Sequence, residues 1–325
     1  MTGAFDNMKK ITFITVLLFG TLVLAGCQHS QTKVTLAASK NLWNSLPLIA
    51  IDKDFFTEEG LDVTVNYLEA GRFCMDAVLS KSADFGDVVD VNVGYLGYSA
   101  NKNITLIGEI SGTLASEIVA RKSRGINTPN DLKGKSLAYS PGTTSDVFAR
   151  RFLEKYGIPE TSLTLSKIQP KGMVAAMIAK DGPDASSTWE PFVSAMSKGL
   201  GDDMITFEAP EIYTAREYVA VRTDWGKGHM QEVLAFLKAL KNANDYALNH
   251  RDDAQQIVAK MTGLDLAVVK SSWAPYQIKL DYDKEKYLQE ITRIGQEINR
   301  IDEYKGKSVP DYSNFIDDMY YHSLK

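Results

Sequence analysis

Short β-rich runs alternate with helical patterns twice over in this chain of 325 residues, and that alternation limits the possible folds more than any other feature. Residues 33–38 read as a strand. Residues 47–59 read as a helix, with Leu48, Ile49, Phe55 and Phe56 on its apolar faces and Gly60 as its stop. A strand at 63–67, a helix at 72–79 and a strand at 84–89 follow. Strands spaced by helices predict a parallel sheet covered on its faces. The pattern restarts with a strand at 136–139, a helix at 146–156 stopped by Gly157, a strand at 163–168, a helix at 173–179 and a strand end at 184–188. Two short β-rich runs, 117–122 and 217–223, sit at the edges of this middle block and could link two βα units. Beyond Thr223 the chain turns helical, at 230–249, 252–261 and 287–299. An aromatic, amphipathic tail at 312–321 needs a surface to pack on, which suggests a return to the first unit.

Composition removes several classes of function. Lys and Arg number 36 against 41 Asp and Glu, a net charge of −5, so the chain has no general attraction for nucleic acid. Two cysteines and four histidines are too few for a zinc or iron–sulfur site, and neither metal nor cofactor is expected. There is no G-x-S-x-G, no H-E-x-x-H and no phosphate loop ending in Gly-Lys-Ser/Thr. The histidines, His29, His229, His250 and His322, are isolated. No acid–base constellation emerges, and the expectation is not an enzyme.

The N-terminus reads as an export address. Lys9 and Lys10 precede the apolar run 11–26, which ends in Leu24-Ala25-Gly26-Cys27. A positive flank, an apolar core and small residues at the end are the layout of a signal peptide. The last four residues look like a bacterial lipobox. Residues 1–26 would then be removed, Cys27 would carry lipid, and 27–32 would be a tether. Firm anchoring takes more than one acyl chain. Cys74, the other cysteine, sits in a helical pattern with Val78 and Leu79 and is expected in the core.

Open α/β sheets bind ligands beyond the carboxyl ends of their strands, and four segments occupy such places. After the first strand, Asn41, Trp43 and Asn44 offer amides and an indole face. After the strand at 136–139, Ser140, Gly142, Thr143, Thr144 and Ser145 enter a helix. Its free N–H groups and the hydroxyls make a small anion site, although such residues would cap any helix. Trp189 and Glu190 follow the strand end at 184–188, where Glu190 would accept from an amine or stay solvated. Asp87 and Asp90 flank the end of the strand at 84–89, and either would favour an amine or zwitterion over a dianion, or cap the next helix. Arg72 and Arg216 are the cationic candidates, each also suited to an ion pair.

An ordered set of segments carries a family likeness: PLIAIDKDFFTEEGLDVTV at 47–65, SADFGD at 82–87, DLKGKSLAYSPGTTSD at 131–146 and TWEPFVSAM at 188–196. Together they resemble the solute-binding proteins of ABC importers for nitrate, sulfonate, taurine or thiamine-precursor pyrimidines. The resemblance implies an α/β, two-lobed type II periplasmic-binding fold with the lobes joined by two crossing strands. Lobe one would take 33–120 and 221–325, and lobe two 121–220. It also implies a cleft-facing Trp189 and a ligand acid near residues 140–145. The implied function is capture of a small organic anion or zwitterion, such as taurine or an alkanesulfonate, outside the cytoplasm. A permease in the cell membrane would be the partner of this lipid-anchored monomer. A pyrimidine or nitrate-type solute is the alternative ligand, and an enzyme or a sensor or adhesin on the same fold the alternative class. Replacing Cys27 with Ser is expected to move the protein from the membrane fraction to the soluble fraction. Continued sedimentation with membranes would overturn the lipid anchor.

Overall fold

The computed structural model describes residues 31–113, 116–317 and 319–323. The signal-peptide segment and Cys27 lie outside those residues. Strands β1 (Thr32–Ser39), β2 (Leu61–Leu68), β3 (Phe85–Val89) and β4 (Ile104–Thr113) open the chain, followed by β5 (Glu117–Arg121), β6 (Ser136–Tyr139), β7 (Thr164–Lys167), β8 (Ala185–Thr188) and β9 (Met204–Glu208). β10 (Ala215–Arg222) and β11 (Ile278–Asp281) come last. They form two sheets, ordered β11-β4-β10-β3-β1-β2 and β7-β6-β8-β5-β9.

The two sheets repeat one plan. β1 pairs in parallel with β2 and β3, and β6 pairs in parallel with β7 and β8. Each sheet then receives an antiparallel strand in its interior, and the first also carries β11 antiparallel to β4 at its edge. β10 runs between β3 and β4, and β5 runs between β8 and β9. Each of these is the strand that begins just after the chain has crossed between the sheets, so both crossings end in the middle of a sheet. The expected boundaries at 120/121 and 220/221 fall within β5 and β10. The crossing into β10 is the connection at 209–214. The expected tether is also shorter at its end: Thr32 already belongs to β1, and its N–H donates to the Gly60 carbonyl at 2.9 Å.

Side-chain alternation explains why both faces of each sheet are covered. Along β10, Val219 and Val221 join one cluster with Phe85 and Phe236, while Tyr218 and Ala220 join another with Tyr287 and Ile291. A strand with apolar residues at every position has two faces to bury, as a central strand must. Phe236, on the helix Met230–Asn249, stacks on Phe85 with ring centroids 4.1 Å apart. In the second sheet Ile118 and Leu137 face Phe148 and Phe152, whereas Val119 and Ala138 face Met173, Met177 and Met196. Cys74 is fully buried beside Val78 and Val88, as its helical setting predicts.

The lobes touch on both sides of the crossings. Arg151, on the helix Thr144–Lys155, is buried and reaches Glu290 at 3.1 Å and Glu297 at 3.0 Å on the helix Lys284–Ile298. Its guanidinium also lies 4.7 Å from the ring centre of Tyr213, on the second crossing. Tyr95 donates to Asp146 at 2.9 Å across the same divide.

The tail does pack on the first lobe. Tyr312 and Phe315 are buried there, Ile316 forms a parallel bridge with Leu106 on β4, and the Tyr312 hydroxyl donates to the Gly94 carbonyl at 2.8 Å. Glycines make room for the ring: a Cβ on Gly295 would come within 2.6 Å of it. Gly295→Ala is expected to push the tail off this seat and cost about 1–3 kcal/mol in urea unfolding. An unchanged midpoint would mean that the tail contributes nothing to the lobe.

Candidate functional site

The ends of β1, β3 and β8 face each other across the cleft with the start of β10, and a small pocket lies between them. The first lobe supplies Ser39, Asn41, Trp43, Arg72, Asn92 and Glu217; the second supplies Thr143, Thr144 and Trp189. Five of the residues expected at the site, Asn41, Trp43, Thr143, Thr144 and Trp189, thus meet at one place. Trp43 and Trp189 are buried except for the faces they turn to the pocket. Trp43 is held edge-on by Tyr276, and Trp189 by Phe192, with ring centroids 5.6 and 5.4 Å apart.

Thr143 is the N-cap residue of the helix Thr144–Lys155, with extended backbone. The first N–H groups of a helix have no partner within it. Those of Thr143 and Thr144, and the Thr144 hydroxyl, have no partner among the described residues. Together with the helix dipole they form an anion cradle that uses no charged side chain. The turn that aims it depends on Gly142, whose φ of 69° is the left-handed conformation that glycine adopts without strain. Asn92 donates to the Gly142 carbonyl at 2.9 Å, tying the turn to the opposite lobe.

The neighbouring hydroxyls are committed elsewhere. Ser145 accepts from the Ser140 N–H at 3.0 Å and donates to the Ser187 carbonyl at 2.8 Å. Ser140 donates to the Ile168 carbonyl at 2.7 Å. Neither lines the pocket, and Gly142 lines an adjoining groove instead. These three shape the cradle and do not fill it.

Five further residues named from the sequence lie outside the pocket lining. Arg216 points away from the pocket and pairs with Glu109 at 2.8 Å, both being buried or nearly so. Glu190 lies outside the pocket lining and caps the helix Phe192–Leu200 by accepting from the Ser194 N–H at 3.1 Å and the Ser194 hydroxyl at 2.9 Å. Asn44 is fully buried behind the wall, donating to the Ser39 hydroxyl at 3.0 Å and to Asp87. Asp87 is buried too; its Oδ2 also accepts from the N–H and hydroxyl of Ser39. A buried carboxylate needs such donors, so Asp87 fixes the loop that presents Asn41 and Trp43. Asp90 likewise stays behind the wall. It accepts from Tyr213 on the crossing and from the Arg216 N–H at 3.2 Å, and burial pushes its carboxyl up to about 7.

Arg72 is the cation of the site. It lines the pocket, donates to the Pro141 carbonyl at 3.4 Å across the cleft, and has no carboxylate within ion-pair distance among the described residues. A single unpaired guanidinium opposite a helix start gives the pocket mouth a positive potential. Glu217 and Asn92 are pocket residues that reading the sequence misses; Arg216 and Arg222 share the Glu217 strand, so its charge gives no separate signal.

The NMT1/THI5 like family profile matches residues 45–254, more than half of the chain. A protein of Bacillus subtilis (strain 168) named for binding aliphatic sulfonates is 27% identical over 278 residues, covering 81% of this chain and 82% of that protein. The taurine-binding periplasmic protein of Escherichia coli (strain K12) is 23% identical over 233 residues, 70% of each chain. Among solved structures, the alkanesulfonate-binding protein SsuA from Xanthomonas axonopodis pv. citri bound to MOPS superposes with a TM-score of 0.73 at 16% identity, over 88% of this chain and 98% of that one. Thr144→Val keeps the shape of the cap and removes its hydroxyl. It is expected to weaken an anionic ligand by about 1 kcal/mol or more in calorimetry, and unchanged affinity would place the anion elsewhere. By the extent of the family match, this chain belongs to the NMT1/THI5 like family.

Proposed function

We propose that this protein is the extracytoplasmic solute-binding component of an ABC importer and that its ligand is a small organic sulfonate. The anion cradle carries the reading. Thr143 and Thr144 offer N–H groups and a free hydroxyl from one lobe, Arg72 faces them from the other, and Trp43 and Trp189 flank the space between. A sulfonate spreads one negative charge over three oxygens, which suits several neutral donors and one guanidinium. Its organic portion suits the indole faces. A neutral pyrimidine would use the tryptophans and leave the cradle idle, whereas nitrate would do the reverse. The names of the relatives point the same way.

Contacts to both lobes give such a ligand more affinity for the shut cleft than for an open one, so it shifts the population toward closure. The connections at 114–116 and 209–214 are the hinges in this scheme, and a permease would meet the shut form. The captured molecule leaves unaltered, since the pocket lining contains no histidine or cysteine and its one acid is not paired with a base. Lipid on Cys27 would hold the protein at the outer face of the membrane.

A thermal-shift screen of alkanesulfonates, nitrate, amino acids and pyrimidines tests the reading. A sulfonate is expected to raise the unfolding temperature in proportion to the logarithm of its concentration, because it binds only the folded state. Stabilisation by a pyrimidine or by nitrate with none by sulfonates would overturn it, as would conversion of the bound ligand seen by nuclear magnetic resonance.

A further inference from the structure

Three carboxylates gather at one end of the second lobe's sheet. Glu117 opens β5, and Glu208 closes β9 just before the crossing at 209–214. The two stand directly opposite each other in the β5–β9 register. Facing residues of an antiparallel pair hold their Cβ atoms about 4.5–5.5 Å apart on one face, and like charges placed there repel. Glu190, on the turn after β8, adds its charge to the same place.

Nothing basic offsets them. Glu117 has no ion pair among the described residues, and its other polar neighbours are the Thr206 hydroxyl on β9 and Tyr276 on the loop before β11. Lys198, the cation of the helix Phe192–Leu200 that packs on β5, pairs instead with Asp265 at 3.2 Å. Arg121, at the far end of β5, pairs with Asp203 at 3.2 Å. Burial, and then the charges of Glu208 and Glu190, push the Glu117 carboxyl up to about 7.

This cluster backs both tryptophan walls of the pocket. Thr188, the partner of Glu117 on β8, immediately precedes Trp189. Tyr276 holds Trp43 edge-on, and its hydroxyl, sealed from solvent and without a hydrogen bond of normal geometry, is within reach of the Glu190 and Glu117 charges. A proton on Glu117 takes one negative charge from behind the indoles, and its loss puts that charge back. Charges separated by a water-poor wall are weakly screened, so an anion in the pocket feels the difference.

We propose that Glu117 is a proton-operated control of the pocket, which holds an anion more tightly when Glu117 is protonated and less tightly when it is ionised. The proposal rests on the sulfonate reading above. Linkage makes the effect reciprocal: capture of the anion draws a proton onto the protein.

Ethanesulfonate stays an anion throughout the range from about pH 6 to about pH 8, so its calorimetric titration into the full-length protein at those two values reports the protein's own protons. The wild type is expected to bind at least about threefold more weakly at the higher pH. Near neutrality it is expected to take up protons on binding, seen as a heat that depends on the buffer's own heat of ionisation. Glu117→Gln keeps the size and shape of the side chain. It is expected to bind at both pH values as the wild type does at the lower one, with no proton uptake. Glu208→Gln removes the opposing charge and is expected to move the loss of affinity to lower pH, which keeps the test decisive should the first variant fail to fold. Asp90, whose carboxyl also lies at about 7, is left in place by both changes. A pH slope that persists unaltered in the variants would therefore belong to another group and overturn the proposal. Equal wild-type affinity at the two pH values would overturn it as well and leave the sulfonate reading intact. Ethanesulfonate that binds at neither pH would remove both.

Discussion

The two peptides that cross between the lobes are bound to the sheets they enter, and the rest of the molecule depends on that constraint. β5 and β10 begin immediately after the crossings, and each is flanked by hydrogen-bonded neighbours on both edges. Neither can move without breaking two ladders and uncovering apolar residues on both faces. Burying a single valine or phenylalanine of this kind is worth roughly 1.5–3 kcal/mol. These ladders fix β5 and β10 within the sheets they enter. The sheets remain rigid bodies, and the residues at their strand ends keep their positions within each lobe.

Rigidity of that sort matters because the pocket is electrically divided. Its donors come from both lobes: a helix start and a hydroxyl on one, a guanidinium on the other. Its acceptor comes from the first lobe alone, where Asp87 and Glu217 lie beneath the loop carrying Trp43. An anion bound only to the helix start would leave Arg72 unpaired. Full use of its charge takes donors from both lobes. The polar bonds already spanning the divide, from Asn92 to Gly142 and from Tyr95 to Asp146, set the orientation in which they meet.

Much of this was legible in the residues. The alternation of β-rich and helical runs gives the order of strands and helices through β3, and again from β6 to β8. The hydroxyl-rich turn after β6 and the two tryptophans fall where strand ends place them. Other features were hidden for physical reasons. β4 has no assignment because Gly108, Glu109 and Gly112 interrupt its apolar run, and Glu109 is tolerable there because Arg216 and Lys286 pair with it. That same bond explains why Arg216 is not the cation of the site. Asp87 and Glu190 look from the sequence like ligand contacts, yet Asp87 Oδ2 and both oxygens of Glu190 accept from nearby donors. Whether a carboxylate faces a cleft or a neighbouring N–H depends on side-chain direction, which spacing alone does not specify. Glu217 was overlooked because its run reads as a linker, and burial at the centre of a sheet is a property of topology.

The helix Thr144–Lys155 has a second role that follows from its two ends. Thr144 opens it at the pocket, and Arg151, seven residues on and thus about two turns away, rests on Tyr213 and on the acids of the helix Lys284–Ile298. One helix therefore joins the pocket wall to the second crossing.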